Sequence, residues 1–124
     1  MDRRGILKYA QEQFGSEPEY LWTKYPSYCV LRHINNRKWY AAIMDVPKSK
    51  LGLSGDEVIE ILDIKCGSIL LGSLLGKKGF LPAYHMCKSS WITVLLDGSV
   101  PDDEIINLLT ISYDLTKKQC GAKQ

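Results

Sequence analysis

The sequence predicts an α+β protein, a two-layer sandwich in which an antiparallel sheet is covered by N- and C-terminal helices. Apolar residues recur at helical spacing near both ends of the chain, and the stretches between them are rich in β-branched and aromatic residues. The connections between adjacent strands are short, which favours antiparallel pairing. With 124 residues and no internal repeat, we expect one domain spanning residues 1–124.

The first half of the chain predicts a helix followed by a hairpin. Residues 3–14 form the helix, because apolar residues recur at helical spacing and Gly15 suits a helix C-terminus. Residues 20–22 and 28–33 have strand-like composition, with Pro26 between them. The Asn35-Asn36 pair predicts a hairpin turn, since asparagine tolerates positive φ, and residues 38–46 then form the returning strand.

The second half predicts two further strands and two helices. Residues 58–66 suit a strand or a short helix, and their β-branched content favours the strand. Ser68 is the expected cap of a short helix that ends before Gly76. Residues 91–97 form the clearest strand, whose continuous apolar run indicates burial on both faces or a central position. Ser99 is the expected N-cap of a final helix running to about Lys118.

Composition gives few hints of function. The net charge is only +2, although residues 21–91 carry ten Lys and Arg against five Asp and Glu. No apolar run reaches the roughly 18 residues of a membrane span, and the N-terminus lacks the apolar core of a signal peptide. We therefore expect a cytoplasmic protein that does not bind a membrane. Four cysteines without a CxxC pair then predict reduced thiols: Cys29, Cys66, Cys87 and Cys120.

Candidate functional residues concentrate in two places. The segment from Leu81 to Trp91 combines Tyr84, His85 and Lys88 beside the clearest strand. Cationic residues surround the predicted hairpin tip: Arg32, His33, Arg37 and Lys38. Because rigid elements hold polar and aromatic groups at low entropic cost, we expect the segment and the hairpin to form one shared binding surface.

Several motifs, taken together and in order, resemble those of the MmcQ/YjbR family. The resemblance covers roughly residues 17–117 and rests on these motifs: Glu19-Tyr20-Leu21-Trp22, Val30-Leu31-Arg32-His33, Lys38-Trp39-Tyr40-Ala41, Leu51-Gly52-Leu53, Ile64-Lys65-Cys66, Leu81-Pro82-Ala83-Tyr84-His85-Met86, Trp91-Ile92-Thr93-Val94 and Ser112-Tyr113-Asp114-Leu115. It implies a frataxin-type (CyaY-like) fold and DNA binding through hairpins that act as wings. The chain departs from the family's PxYHMNK pattern at Cys87, where asparagine is usual, and at Ser89-Ser90, where a Lys-His pair commonly precedes the tryptophan.

DNA binding is therefore the first functional hypothesis. A wing places Arg32, Arg37 and Lys38 near phosphates, while Trp39 or Tyr40 stacks on an exposed base. The structural alternative is that both aromatic residues belong to a half-buried strand and the cations keep the hairpin tip soluble. A second hypothesis is a small-molecule or peptide pocket around Tyr84, His85 and Lys88, suited to an anionic or aromatic ligand.

Two further hypotheses have less support in the sequence. Cys29 and His33 share one strand face, and His85 and Cys87 another, so facing strands would offer a set of zinc ligands, but their spacing matches no zinc module. His85 as base and Cys87 as nucleophile lack an identifiable orienting group, so we expect no enzyme. We expect no metal and no cofactor, and the predicted DNA- or ligand-binding residues are Arg32, His33, Arg37, Lys38, Trp39, Tyr84, His85, Lys88 and Trp91.

Overall fold

The computed structural model describes residues 1–117, which form a five-stranded antiparallel sheet with helices at both ends of the chain. The elements are α1 (Arg3–Phe14), β1 (Cys29–Arg32), β2 (Trp39–Pro47), a 3-10 turn (Lys48–Leu51), β3 (Val58–Lys65), α2 (Ser68–Leu74), β4 (Phe80–Pro82), β5 (Trp91–Leu95) and α3 (Asp102–Lys117). The strand order is β1-β2-β3-β5-β4. The α+β class and the antiparallel sheet with terminal helices are confirmed.

The sheet has two chemically different faces. On the face that we call the helix face, α1, α2 and α3 pack over apolar side chains that include Leu31, Ile43, Leu62, Ile64 and Ile92. The opposite face, the loop face, is covered by irregular segments that follow α1, β2 and β4; its buried side chains include Val30, Ala42, Met44, Val46 and Ile61. Cavities on the loop face therefore lie between strands and loops, where a fold often binds ligands.

Helix α1 has the predicted bounds because its two ends are capped. The Asp2 carboxylate accepts a hydrogen bond from the Gly5 N–H at 3.0 Å. Gly15 ends the helix in the left-handed conformation at φ 68°, which glycine adopts without strain. Ile6 and Ala10 are buried against the sheet.

The predictions for individual strands are partly wrong. Residues 20–22 form no strand; an isolated bridge joins Glu19 to Val30 instead. The predicted burial of β5 on both faces is confirmed, since all five of its residues are buried, although the central strand is β3 and β5 lies second from the edge. The short edge strand β4 was not predicted. Its length of three residues is too small to give a periodic signal.

Both serines predicted to cap helices have other roles. Helix α2 begins at Ser68 itself, and its N-cap residue is Gly67. Helix α3 begins at Asp102, and Ser99 donates its hydroxyl hydrogen to the Asp97 carboxylate at 2.5 Å. A serine two residues after an aspartate has this local alternative to helix capping. The predicted helix end at Lys118 and the thiol of Cys120 lie outside the described residues.

The predicted hairpin between β1 and β2 is confirmed, but the residue with positive φ in its turn is not the one expected. Arg37, and not an asparagine, has positive φ, at 64°. The Asn36 side chain instead holds the turn: its carbonyl accepts from the Lys38 N–H at 2.8 Å, and its amide donates to the Thr116 carbonyl at 3.0 Å. The turn is thereby tied to the last turn of α3. In the described part of the chain, no helix has the length and apolar character needed to cross a membrane.

Candidate functional site

A pocket of about 300 Å³ opens on the loop face. It is lined by the segment after α1, by β2 and by the segment after β4: Trp22, Tyr25, Tyr28, Trp39, Ala42, Met44, His85 and Met86. We call this cavity the aromatic pocket. Strand β2 supplies its floor through Ala42 and Met44, whose alternate positions point to the loop face. A rigid strand thus supports side chains that are contributed by two irregular segments.

The walls of the aromatic pocket are rings held by contacts with one another. Trp22 meets Trp39 at 5.8 Å and 72°, and meets Tyr28 at 5.9 Å and 71°. Tyr25 stacks on Tyr28 at 4.7 Å and 14°. Edge-to-face and offset-stacked pairs are the favourable arrangements of aromatic rings. The rings therefore fix one another, and the walls need no ligand to hold their shape.

A buried carboxylate adjoins the floor of the aromatic pocket. Asp63 of β3 lies directly opposite Ala42 in the β2–β3 register and is fully buried. Its Oδ1 accepts the Thr93 hydroxyl at 2.5 Å, whereas its Oδ2 has no hydrogen-bond partner among the described residues. Burial raises the pKa of Asp63 to about 7. An unpaired buried carboxylate oxygen is costly, so this position requires an explanation.

The segment after β4 is fixed over Asp63 through Thr93. The Tyr84 N–H donates to the Thr93 hydroxyl at 2.9 Å, which in turn donates to Asp63. His85 follows with positive φ at 64°, and its ring lies 4.0 Å from the Tyr84 ring. The Lys88 ammonium donates to the Ala83 carbonyl at 2.8 Å. The backbone turn at His85 separates Tyr84 and Lys88, which line another cavity of about 200 Å³, from His85 in the aromatic pocket.

At the β1 end of the hairpin, the side chains of Arg32 and His33 form contacts with other parts of the protein. Arg32 donates to both carboxylate oxygens of Glu19, at 2.8 Å and 2.5 Å. His33 is only 4% exposed, and its Nε2 lies 2.8 Å from the Thr116 hydroxyl and 3.1 Å from the Tyr113 carbonyl. Because a carbonyl can only accept, Nε2 carries the hydrogen. Burial lowers the pKa of His33. His33 lies beside the hairpin tip as predicted, but α3 packs over it and buries it, so it is not available as a binding residue.

The other side of the hairpin is open to solvent. Arg37 and Lys38 are exposed and form no ion pair within residues 1–117. Ile34, at the tip between β1 and β2, is 78% exposed. Of the four residues predicted to surround the hairpin tip, only Arg37 and Lys38 are therefore exposed cations without an ion-pair partner among the described residues, and they lie near the exposed Ile34.

The predicted shared surface is not formed. Arg32, His33 and Arg37 line a cavity of about 210 Å³ with the acidic residues that follow α1, whereas Trp39 and His85 meet in the aromatic pocket and Tyr84 and Lys88 lie beyond it. Trp91 is only 8% exposed and belongs to β5. Sequence position could not show this division, because it depends on contacts between distant parts of the chain and, for Tyr84 and Lys88, on the turn at His85.

Sequence reasoning missed several residues that lie in or beside the aromatic pocket, among them Tyr25, Tyr28 and Asp63. Tyr25 and Tyr28 looked like parts of a turn and a strand, and nothing in the local pattern joined them to Trp39. Asp63 did leave a signal, since a carboxylate between Leu62 and Ile64 interrupts an apolar strand. A buried charge at such a position is costly unless it is paired, hydrogen-bonded or neutralised by a shifted pKa.

The cysteines and histidines considered as metal ligands or catalytic groups lie apart. Cys29 is buried in the core of the helix face, whereas His85 is in the aromatic pocket of the loop face. The Cys87 thiol contacts the Ser89 hydroxyl at 3.1 Å, and hydrogen bonds from Ser89 lower its pKa. Among residues 1–117, no three His, Cys, Asp or Glu side chains form a group that could hold a metal ion.

Comparison with known proteins gives consistent matches. A solved crystal structure from Pseudomonas syringae is 44% identical, covers 94% of this chain and 100% of its own, and superposes with a TM-score of 0.92. A Deinococcus radiodurans protein is 23% identical, covers 84% of this chain and 70% of its own, and has a TM-score of 0.63, a likeness of fold alone.

The sequence matches agree with the structural ones. The Bacillus subtilis protein YyaQ, named as uncharacterized, is 44% identical over 117 residues, which are 94% of this chain and 99% of that protein. The YjbR family model matches residues 12–115, a span that includes every residue of the aromatic pocket. The resemblance read from the motifs is therefore confirmed, and the chain belongs to the YjbR family.

Proposed function

We propose that this protein is a non-enzymatic binding module that takes a small organic ligand in the aromatic pocket. The observation that carries the proposal is the set of four aromatic rings around an open cavity of about 300 Å³. Ligand pockets in proteins are concave and mostly apolar, contain a few polar groups and start near this size. His85, exposed beside the aromatic rings, is the polar group available to orient a ligand.

Binding, and not catalysis, is the role that the surroundings of His85 support. Its ring packs against Tyr84, and no described side chain hydrogen-bonds it as the third member of a triad would. The Cys87 thiol has Ser89 as its partner instead of His85. A nucleophile and a base that do not contact each other lack the geometry of a catalytic pair.

Two further inferences, on the type of fold and on the cellular location, accompany this proposal. We infer a frataxin-type (CyaY-like) arrangement, which the placement of α1 and α3 on one face of an antiparallel sheet supports. We also infer a cytoplasmic location, because the thiols of Cys29, Cys66 and Cys87 are free, as is usual in a reducing compartment.

The ligand-binding proposal is tested by ligand-observed NMR with small organic probes: indole, 3,3-dimethylbutan-1-ol and choline. Two tyrosines offer a matched pair of variants, since Tyr25 is 46% exposed and lines the pocket, whereas Tyr20 is 54% exposed and does not. We expect at least one probe to bind the wild type and Tyr20→Ala but to lose affinity for Tyr25→Ala. Failure of all three probes to bind, or equal binding to both variants, would contradict the proposal.

DNA binding through the hairpin is the second candidate function. The observation that favours it is the pair of exposed cations Arg37 and Lys38 beside Ile34, which is 78% exposed. Cations at a hairpin tip contribute sequence-independent affinity for phosphates. Arg32 contributes less to such a surface, because Glu19 neutralises it. The hairpin and the aromatic pocket are different sites, so the two functions can be tested separately.

The DNA hypothesis is tested by titrating duplex and single-stranded DNA at low and at moderate salt. If the hairpin binds phosphates, Arg37→Gln combined with Lys38→Gln weakens binding and reduces its salt dependence. Arg4→Gln combined with Lys8→Gln removes the same charge from the exposed side of α1 and serves as the control. Absence of binding at low salt, or equal losses in both double variants, would exclude the hairpin as a DNA site.

A further inference from the structure

We propose that the ligand of the aromatic pocket is an organic cation whose quaternary or protonated ammonium group lies against the rings of Trp22, Trp39 and Tyr25. This inference rests on the proposed ligand-binding function and names the chemical class of the ligand. Three observations carry it: the arrangement of the rings, the charge of the groups that line the pocket, and the carboxylate beside the pocket floor.

The rings that line the pocket lie in more than one orientation. Trp22 stands at 72° to Trp39 and at 71° to Tyr28, so neighbouring walls are close to perpendicular. The face of an aromatic ring carries negative potential, and several faces around one volume attract a cation more than a neutral group of the same shape. Burial raises the pKa of Tyr28 to about 12, so this phenol stays neutral and keeps its hydrogen. The walls therefore attract positive charge without carrying a formal charge.

Asp63 adds a buried carboxyl group beside the floor, and this group carries a formal charge above about pH 7. It is the cross-strand neighbour of Ala42, a floor residue, and side chains directly opposite in an antiparallel pair lie about 4.5–5.5 Å apart at Cβ. Its Oδ2 has no partner in the described part of the chain, and its side chain is completely buried. Once the carboxyl group is ionised, its unpaired oxygen in this poorly solvated site favours a nearby positive charge. A cation in the aromatic pocket supplies that charge.

No fixed cation occupies the aromatic pocket to oppose this assignment. The lining contains neither lysine nor arginine. Lys88 lies near enough to favour the ionised form of Asp63, but its ammonium donates to the Ala83 carbonyl, and it lines the separate cavity that contains Tyr84. The anionic ligand expected from Lys88 at the sequence level therefore has no partner in this pocket. The lining groups other than His85 are aromatic or apolar, and the aromatic ones favour a cation over an anion.

The experiment compares choline with 3,3-dimethylbutan-1-ol, its neutral isostere, by calorimetric titration of the full chain. The two probes share size, shape and hydroxyl group, so the ratio of their affinities reports the contribution of the positive charge. We expect choline to bind at least about fivefold more tightly, since a partly desolvated cation on aromatic faces gains on that order. Equal affinities would overturn the cation assignment while leaving the ligand-binding function intact. If neither probe binds and indole does not bind either, the proposed function itself fails.

A charge variant tests the role of Asp63. Asp63→Asn keeps the size of the side chain and the acceptor for Thr93. At about pH 8, where the wild-type carboxyl group is ionised, we expect the variant to bind choline roughly three- to tenfold more weakly, the effect of removing one charge. Binding of the neutral isostere should stay unchanged. Asp56→Asn, which removes an exposed loop carboxylate, is the matched control. Equal choline affinity in the wild type and Asp63→Asn would show that the carboxylate does not contribute, and the proposed role of Asp63 would then be wrong.

Discussion

Asp63→Asn gives the most informative stability measurement on this fold. In the unfolded chain the carboxyl group has its ordinary pKa near 3.8, whereas burial raises the pKa to about 7 in the native protein. Between these two values the native state binds the proton that the unfolded chain has already released. The free energy of unfolding of the wild type therefore decreases as pH rises through this window.

The size of the effect follows from the difference between the two pKa values. About three pKa units at 1.36 kcal/mol each correspond to roughly 4 kcal/mol, lost progressively between about pH 4 and pH 7. Asparagine has no such titration, so the stability of Asp63→Asn relative to the wild type should increase by up to that amount over the window. In Asp63→Asn, the side-chain NH₂ group takes the position of Oδ2, and its contribution to the free energy of unfolding does not change with pH.

The assay is urea unfolding, followed by circular dichroism, of both proteins at a series of pH values from about 4 to 8. Taking the difference between the two proteins removes the contribution of His33, which is the same in both. Asp56→Asn, an exposed carboxylate, should follow the wild type. If the stability curves of the wild type and Asp63→Asn run parallel across this range, Asp63 does not have the raised pKa on which this reasoning depends.

Two further predictions concern the scaffold. Gly79→Ala should destabilise the protein by about 2 kcal/mol or more in urea unfolding, because φ is 94° and an added Cβ would lie 2.5 Å from Val100 Cγ2. Gly72→Ala, in α2 with open space around it, should instead stabilise by about 0.5–1 kcal/mol, and equal effects of the two changes would contradict this account. Burial lowers the pKa of His33, so the native state takes up its proton less readily than the unfolded chain. Below about pH 6.5, the free energy of unfolding of the wild type should therefore fall more steeply with decreasing pH than that of His33→Gln. Identical pH dependence in the two proteins would show that the histidine is not desolvated.

The parts of the fold that could be predicted are those with a strong local signal. Helix α1 was predicted with its observed bounds because Ile6, Ala10 and Gly15 carry both its periodicity and its stop. The hairpin between β1 and β2 was predicted from its paired asparagines, although Arg37 takes the positive φ. Strand β4 has only three residues, and its edge position depends on pairing with β5, which local composition does not encode.

The candidate site was harder to predict because it depends on which face each segment covers. Trp39 and His85 were correctly expected to lie near each other. Lys88 lines another cavity beyond the backbone turn at His85, and Arg32 lines a third cavity beside Glu19. His33 looked like a surface residue because its partners on α3 are far away in sequence: Tyr113 and Thr116. Contacts between distant parts of the chain, and not local propensity, decided which candidate residues remain accessible.

Methionine methyl groups offer the most direct test that the aromatic pocket is a ligand site. The chain has three methionines; Met44 and Met86 line the pocket, whereas Met1 packs against the core of the helix face. In protein labelled with ¹³C at the methionine methyls, choline should shift the signals of Met44 and Met86 and leave that of Met1 in place. If choline and 3,3-dimethylbutan-1-ol leave all three signals unchanged, or shift Met1 as much as the other two, the aromatic pocket is not the binding site.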